Sequence, residues 1–253
     1  MPTREENRAN WTEYDWTRRG DDWSFGWGST RMLWYGSILP RIHFLLPAEH
    51  LLEIAPGYGR VTEYLLAHCQ RYTGVDITPR CVQACSARFA ARAGAEFVLN
   101  DGASLDCVAD GAVDAAVSWD SLVHADPGVL EAYVHALARK LAPGGRAFLH
   151  HSNLGAFHEP GADRARIENP HWRDERMSAA LLRRFAQEAG LELDGQELVQ
   201  WGSALENDCF SWLRRPAPGT PAGTGELLHH PAFGAEIAHC GWLFRCPGRS
   251  STA

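Results

Sequence analysis

The stretch that decides the fold is His50-Leu-Leu-Glu-Ile-Ala-Pro-Gly-Tyr-Gly-Arg60, and Thr73-Gly-Val-Asp76 follows it at a short distance. An apolar run ends in a Gly-x-Gly turn, and the amphipathic segment from Val61 to Cys69 comes next. This order predicts a strand, a glycine loop and a helix, an arrangement that brings backbone N–H groups close to a bound nucleoside. Gly57 and Gly59 permit the tight turn and the close approach because they carry no side chain.

Two acids stand at the ends of the first two predicted strands. Glu53 suits a cationic amino-acid ligand better than a pyrophosphate, and Asp76 can accept hydrogen bonds from both hydroxyls of a ribose. Thr62 occupies the third glycine position of G-x-G-x-x-G, so the loop does not match a dinucleotide fingerprint. S-adenosylmethionine carries an adenosine and an α-ammonium and no phosphate. The loop therefore points to a methyltransferase.

Strand and helix signals alternate along most of the chain. They predict an α/β fold with a doubly wound, mostly parallel sheet and an antiparallel pair of strands at one edge. Further strands are predicted at 71–76, 95–99, 113–119 and 146–151, helices at 79–93, 128–141 and 178–189, and a closing pair of strands at 191–201 and 207–214.

The pattern predicts three regions: an N-terminal cap over 1–45, a cofactor-binding domain over 46–214 with a substrate-side insertion at 152–177, and a C-terminal extension over 215–253. The cap contains five of the ten tryptophans, namely Trp11, Trp16, Trp23, Trp27 and Trp34. These rings are either core anchors for an N-terminal helix pair or a lid over the cofactor and acceptor. A lid would use the attraction of aromatic faces for a sulfonium.

Composition excludes several classes of protein. A net charge of −7 argues against a nucleic-acid partner. We find no uninterrupted apolar run of about 18 residues and no signal-peptide pattern, so a cytoplasmic protein without a membrane span is expected. The seven scattered cysteines do not form a secreted disulfide framework and are expected to be reduced. Homo-oligomerisation is left open.

Ligand sites in open α/β sheets lie at the carboxyl ends of the strands. The predicted cofactor-binding residues there are Glu53, Ala55, Gly57, Gly59, Asp76, Ile77, Asn100, Asp101, Gly102, Asp120 and Ser121. The predicted catalytic residues are Asp120, His124, His150 and His151. Some of these have ordinary alternatives: Asn-Asp-Gly is also turn chemistry, and His124 could simply cap its loop. His150 and His151 must point to opposite sides of a regular strand, so at most one of them faces the cleft.

The segment Glu53-Ile-Ala-Pro-Gly-Tyr-Gly-Arg60, with Asp76, Asn100-Asp101-Gly102 and Ser118-Trp-Asp-Ser-Leu-Val-His124, resembles the class I S-adenosylmethionine-dependent methyltransferase family. The resemblance covers residues 45 to about 150. It implies that Glu53 to Gly59 hold the methionine end, Asp76 the ribose and Asp101 the adenine. Pro56 replaces a commoner glycine and stiffens the loop.

The segment His150-His-Ser-Asn-Leu-Gly155, with Asn169-Pro-His-Trp-Arg173, resembles bacterial sugar and secondary-metabolite O-methyltransferases, some of which use Mg²⁺. The resulting hypothesis is methyl transfer to a hydroxyl of a small molecule, a sugar or a glycosylated metabolite. The base is predicted to be a histidine, with His151 favoured and Asp120 orienting the imidazole.

Three alternatives to this hypothesis stay open. Six residues could ligate a divalent ion, although their spacing matches no known metal motif: Asp120, His124, His150, His151, His158 and His171. The acceptor could instead be the amine of an amino sugar, which needs no strong base. The chain could also be a non-catalytic S-adenosylmethionine-binding partner.

Overall fold

A computed structural model describes residues 3–158, 169 and 171–245. These residues form one eight-stranded sheet. Its strands are β1 (Ala48–Ile54), β2 (Cys69–Asp76), β3 (Ala95–Leu99), β4 (Val113–Leu122), β5 (Leu141–Ser152), β6 (Glu192–Val199), β7 (Asp208–Arg214) and β8 (Glu226–His230). Their order across the sheet is β3-β2-β1-β4-β5-β7-β6-β8. Only β7 runs antiparallel to its neighbours, so the predicted α/β class with a mostly parallel sheet is confirmed.

The sheet has a topological switch point at β1. The chain builds outward from β1 to β2 and β3 and then returns to place β4 on the other side of β1. The connections on the two sides leave a crevice beyond the carboxyl ends of β1 and β4. The glycine loop and the segment after β4 meet in this crevice.

Helices and the N-terminal cap cover the two faces of the sheet. The helices are α1 (Arg4–Glu13), α2 (Thr30–Leu33), α3 (Leu39–Ile42), α4 (Thr62–Leu65), α5 (Pro79–Arg88), α6 (Pro127–Lys140), α7 (Ala179–Glu188) and α8 (Phe233–Phe244). One core packs α6 and α7 against the sheet. The other packs aromatic residues of the cap and of α8 against the opposite face.

Local capping chemistry explains where α6 and α7 begin. The Asp126 carboxylate accepts a hydrogen bond from the N–H of Val129 at 3.1 Å, and Pro127 occupies the first turn of α6. The hydroxyl of Ser178 caps α7 in the same way.

Several element boundaries differ from the sequence-based expectation. The predicted helix after the glycine loop is reduced to α4 and a 3₁₀ turn over Leu66–His68. The helix predicted for 79–93 ends at Arg88, whereas β4 continues past 119 to Leu122. This extra length of β4 forms one wall of the crevice.

The residues predicted as a C-terminal extension continue the main fold. β8 pairs in parallel with β6 and becomes the edge of the sheet, a place that the sequence had given to the β6–β7 pair. α8 packs against the 3₁₀ segment Asp21–Trp27 and α2 of the cap, with Phe233 fully buried. Part of the predicted insertion 152–177, namely 159–168 and 170, lies outside the described residues.

Candidate active site

A cavity of about 1000 Å³, including its open mouth, lies in the crevice at the carboxyl ends of β1, β2 and β4. The sequence-predicted residues that line it are Glu53, Ala55, Gly57, Asp76, Ile77, Gly102, Asp120, Ser121 and His124. The cap adds Arg4, Asn7, Trp11, Trp16, Arg19 and Trp23.

The glycine loop is held in a left-handed conformation by contacts to β2. Ala55 and Gly57 have φ angles of 59° and 57°. The N–H of Ala55 donates to the carbonyl of Val75 at 2.8 Å, and the N–H of Gly57 donates to the Asp76 carboxylate at 3.1 Å. Gly59 does not line the cavity, because its open side faces the ring of Phe89.

Glu53 is almost fully buried at the end of β1. The hydroxyls of Thr62 and Tyr72 both donate to its Oε2 atom, Thr62 at 2.6 Å. Burial raises the pKa of Glu53 to about 7, although both hydroxyl donors favour the charged form. A cation placed beside this carboxyl would favour its ionised form, so the residue fits the α-ammonium of a methionine moiety.

Asp76 closes β2 inside the cavity wall. Its two oxygens accept hydrogen bonds from the N–H of Gly57 and, at 2.8 Å, from the N–H of Thr78. Burial raises its pKa to about 6 in spite of these donors. The hydroxyl oxygen of Thr78 is also buried at the cavity and has no hydrogen-bond partner among the described residues. The site therefore fits a ligand that brings hydroxyl groups of its own.

The Asn-Asp-Gly segment after β3 reaches the cavity only through Gly102. The Asp101 carboxylate is exposed and accepts hydrogen bonds from the N–H groups of Ala103 and Ser104 at 3.0 and 2.7 Å. The Asn100 side chain bonds to Ser104 and Tyr133 instead of facing the cavity. Asp101 thus stabilises a turn, which is the alternative to an adenine contact that the sequence left open.

Asp120 is joined to the cap by an arginine that the sequence analysis did not assign to the site. Arg60, directly after the glycine loop, donates to the Asp120 carboxylate at 3.1 Å and to the hydroxyl of Ser24 at 2.9 Å. Its guanidinium lies over the ring of Trp23, 5.3 Å from the centroid. The sequence offered one signal for a role of Arg60 in the site, its position directly after the glycine loop. Its partners Ser24 and Asp120 are distant in sequence, so the pattern could not identify them.

Of the three predicted base candidates, only His124 lines the cavity. Its ring lies 5.2 Å from that of Trp11, and its Nδ1 atom lies 3.3 Å from the carbonyl oxygen of Trp172. Because a carbonyl can only accept, Nδ1 carries the proton in this contact and Nε2 keeps a free lone pair. Burial lowers the pKa of His124, which also favours the neutral ring.

His150 and His151 point to opposite sides of β5 as expected, yet neither lines the cavity. His151 is fully buried, and its ring nitrogens contact the carbonyl of Ser152 and, at 2.8 Å, the hydroxyl of Ser211. Burial lowers its pKa to about 4. The structure therefore does not place the favoured residue, His151, where a base is needed.

Asp120 was predicted to orient the imidazole of the base, but in the structure a histidine orients Asp120. The Nδ1 atom of His150 accepts a hydrogen bond from the main-chain N–H of Asp120 at 3.0 Å, so the imidazole holds Asp120. Within the described residues no three His, Cys, Asp or Glu side chains lie close enough to hold a metal ion. Of the six candidate ligands only Asp120 and His124 line the cavity.

The tryptophans of the cap divide into two groups. Trp11, Trp16 and Trp23 line the cavity, whereas Trp27 and Trp34 are buried in the core between cap and sheet. Trp27 and Trp34 thus act as core anchors, whereas the role of Trp11, Trp16 and Trp23 as a lid stays a prediction.

Residues 51–145 match the family described as "Methyltransferase domain". This span contains the last four residues of β1, all of β2 to β4, the glycine loop, Asp76 and Asp120. Over residues 51–145 the chain is therefore similar to methyltransferase domains, in agreement with the resemblance drawn from the glycine loop. A comparison with curated proteins gives no match.

Solved structures share the fold of this chain at low sequence identity. The N-methyltransferase NodS from Bradyrhizobium japonicum WM9, in complex with S-adenosylhomocysteine, is 20% identical with a TM-score of 0.59, over 85% of this chain and 100% of its own. A putative sarcosine dimethylglycine methyltransferase from Galdieria sulphuraria is 16% identical with a TM-score of 0.56, over 74% of this chain and 85% of its own. The [4+2]-cyclase SpnF is 15% identical with a TM-score of 0.55, over 81% and 85%. In the part of the chain that the structure describes, no helix is long and apolar enough to cross a membrane.

Proposed function

We propose that this methyltransferase transfers a methyl group from S-adenosylmethionine to a hydroxyl of a small molecule, a sugar or a glycosylated metabolite. The observation that carries the proposal is the state of His124 in the cavity. Its Nδ1 contacts the Trp172 carbonyl, and its Nε2 has no hydrogen-bond partner among the described residues. A neutral imidazole held in this way can take a proton from a hydroxyl.

The cofactor would lie along the carboxyl ends of β1, β2 and β4. Glu53 would receive the α-ammonium, Asp76 the ribose hydroxyls, and Ile77 with Gly102 the adenine. When bound, S-adenosylmethionine supplies an electrophilic methyl group on its sulfonium. Asn100 and Asp101 lie outside the cavity lining and would hold the turn that places Gly102 beside the adenine.

His124 would do the proton chemistry, whereas the other residues of the acceptor side would position the substrate. In-line approach of the hydroxyl oxygen supplies most of the acceleration, because both reactants are held in one site. Asp120 already has Arg60 as an ion-pair partner, which favours a role in holding the cavity wall. Removal of the proton by His124 would make the oxygen a better nucleophile.

Methylation of an amine is the second candidate. Trp11 and Trp23 line the cavity, and aromatic rings attract cationic groups. NodS, which has the same fold, is named as an N-methyltransferase. A non-catalytic binding partner would have no use for a free imidazole nitrogen in the cavity. Mg²⁺ is not part of the proposal, because four of its six candidate ligands lie outside the cavity lining.

The test is an acceptor screen with paired compounds. The purified protein is incubated with S-adenosylmethionine and with sugars and glycosides, each matched by the corresponding amino sugar, and products are identified by mass spectrometry. Methylation of the hydroxyl compounds, unchanged by a chelator, supports the proposal. Methylation of the amino sugars alone supports the second candidate. Binding of S-adenosylhomocysteine without turnover on either set supports the non-catalytic alternative. Light scattering of the same sample tests whether the protein forms homo-oligomers.

A further inference from the structure

The backbone at Asp120 is strained and leaves the regular strand ladder. Asp120 has a φ angle of 56°, a conformation that residues with side chains rarely adopt. The register between β4 and β5 shifts between Ser118 and Leu122, so Asp120 has no ladder partner on β5. Its N–H instead donates to Nδ1 of His150 at 3.0 Å. A side chain of β5 thus replaces a main-chain partner at this position.

His150 is the first member of a buried chain of hydrogen bonds. Because its Nδ1 accepts from Asp120, its Nε2 carries the proton and donates to the Asp208 carboxylate at 3.0 Å. Arg173 donates to both oxygens of Asp208, with Nη2 at 2.8 Å. His150 and Asp208 are fully buried, and Arg173 is 3% exposed.

The charges in this chain of residues balance. Burial opposes ionisation of Asp208, but the adjacent Arg173 and His150 outweigh it and lower the pKa of Asp208 to about 2. The carboxylate and the guanidinium therefore neutralise each other beside a neutral imidazole. Buried polar networks of this kind hold one geometry when every member has its partners.

We propose that Arg173, Asp208 and His150 are positioning residues that fix Asp120 and, through it, the closed position of the cap. None of the three lines the cavity, so they act through Asp120 and not on a ligand. The Asp120 carboxylate receives Arg60, and Arg60 reaches Ser24 of the cap. The strained backbone conformation persists because His150 holds its N–H and Arg60 holds its side chain.

The two neighbours of Arg173 in the chain, Trp172 and Asp174, contact the segment that follows β4. The Trp172 carbonyl contacts His124, and the N–H of Asp174 donates to the carbonyl of Val123 at 2.8 Å. Residues 172–174 therefore hold the segment after β4 at two places, His124 and Val123, and bind Asp208 of β7 through Arg173. The network links the end of the substrate-side insertion to the wall of the cavity.

The first test compares His150→Phe with the matched variant His151→Phe. Both histidines are fully buried neighbours on β5 with two polar contacts each, but only His150 reaches Asp120. Hydrogen exchange of residues 20–28 of the cap, measured on the full chain by mass spectrometry, is the readout. We expect exchange at least about fivefold faster in His150→Phe than in His151→Phe, since one linking hydrogen bond is lost. Equal exchange in the two variants overturns the proposal.

A second variant and a spectroscopic measurement cover the case in which His150→Phe does not fold. Asp120→Asn should speed cap exchange while leaving the buried network intact, because it weakens only the contact to Arg60. In the wild-type protein, ¹⁵N NMR should show His150 unprotonated at Nδ1 and protonated at Nε2. The opposite tautomer, or unchanged cap exchange in Asp120→Asn, overturns the proposal. The inference rests on the proposed cavity but uses no methyl transfer, so a failed acceptor screen and a failed network test are separate results.

Discussion

Trp16 of the cap stacks on Tyr58 of the glycine loop, with ring centroids 4.6 Å apart and ring planes 1° apart. The same Trp16 crowds Gly57, where an added Cβ would lie 3.0 Å from the indole. The cap therefore rests directly on the loop that is predicted to hold the methionine end of the cofactor. Ligand binding and cap order should depend on each other.

The N-terminal part of the cap should become more protected when cofactor binds. α1 buries none of its residues completely, so its own packing holds it weakly. We expect hydrogen exchange of residues 4–19 to slow on addition of S-adenosylhomocysteine. Residues 27–38, whose Trp27 and Trp34 belong to the core, are the internal control and should not change. Equal exchange of 4–19 with and without ligand would show that this segment is permanent structure.

Asp76→Ala should weaken binding of S-adenosylhomocysteine by about 1–3 kcal/mol, because it removes charge-assisted hydrogen bonds to the ribose. Isothermal titration calorimetry measures the change. Asp101→Ala is the matched control, since Asp101 is an exposed acid that bonds to turn amides outside the cavity. If Asp101→Ala weakens binding as much as Asp76→Ala does, the adenine contact suggested by the family resemblance exists and the turn interpretation fails.

Cofactor affinity should rise with pH between about pH 5 and pH 7. In the ligand-free protein the pKa values of Glu53 and Asp76 are raised to about 7 and about 6. Their protonated forms therefore contribute stability at low pH, and this contribution is lost as the pH rises through those values. A bound α-ammonium favours ionised Glu53, so binding in this range should release protons.

Calorimetry in two buffers of different ionisation enthalpy measures this proton release. Glu53→Gln is the control, because its amide cannot titrate but keeps the shape of the side chain. The variant should release fewer protons and lose most of the pH dependence. Wild-type affinity that stays constant over this range would contradict the assignment of Glu53 to the ammonium.

His124→Gln should lower the turnover number about 10²–10⁴-fold while leaving the affinity for S-adenosylhomocysteine nearly unchanged. For the wild type, kcat/KM should increase with pH and level off above the pKa of His124, which burial lowers from its usual value. His151→Gln is the control for the loss of a buried histidine and should keep the wild-type pH profile. Near-normal turnover of His124→Gln would favour the amine acceptor, which needs no base.

Phe233→Ala should destabilise the whole domain by about 3–5 kcal/mol, the usual cost of truncating a fully buried aromatic ring. Phe233 begins α8 and packs against Trp27, Trp201 and Phe210. Trp242→Ala on the same helix is the control, because Trp242 is 56% exposed. Chemical denaturation measures both variants. A separate unfolding transition for α8, with the remaining protein unaffected, would show that the last helix is an independent extension.

The sequence by itself determined the α/β class and the strands β1 to β7, whereas β8 was missed and the cofactor end of the site stays a prediction. These features depend on neighbours in the chain: an apolar run, a Gly-x-Gly turn and an acid at a strand end occur within a few residues of each other. β3 was predicted with its correct bounds for the same reason. The orientation of His150 and His151 to opposite faces followed from the two-residue period of a strand.

Only the tertiary structure decided which histidine reaches the cavity, because β5 is flanked by β4 and β7 and both of its faces are covered. His124 enters the cavity from an irregular segment whose direction is set by Trp172 and Asp174, about fifty residues later in the chain. The Arg60–Asp120 and Arg173–Asp208 pairs likewise join distant residues. The local sequence pattern predicts strands and turns. These contacts instead arise from packing between segments that are far apart in the sequence, and no local pattern predicts that they meet.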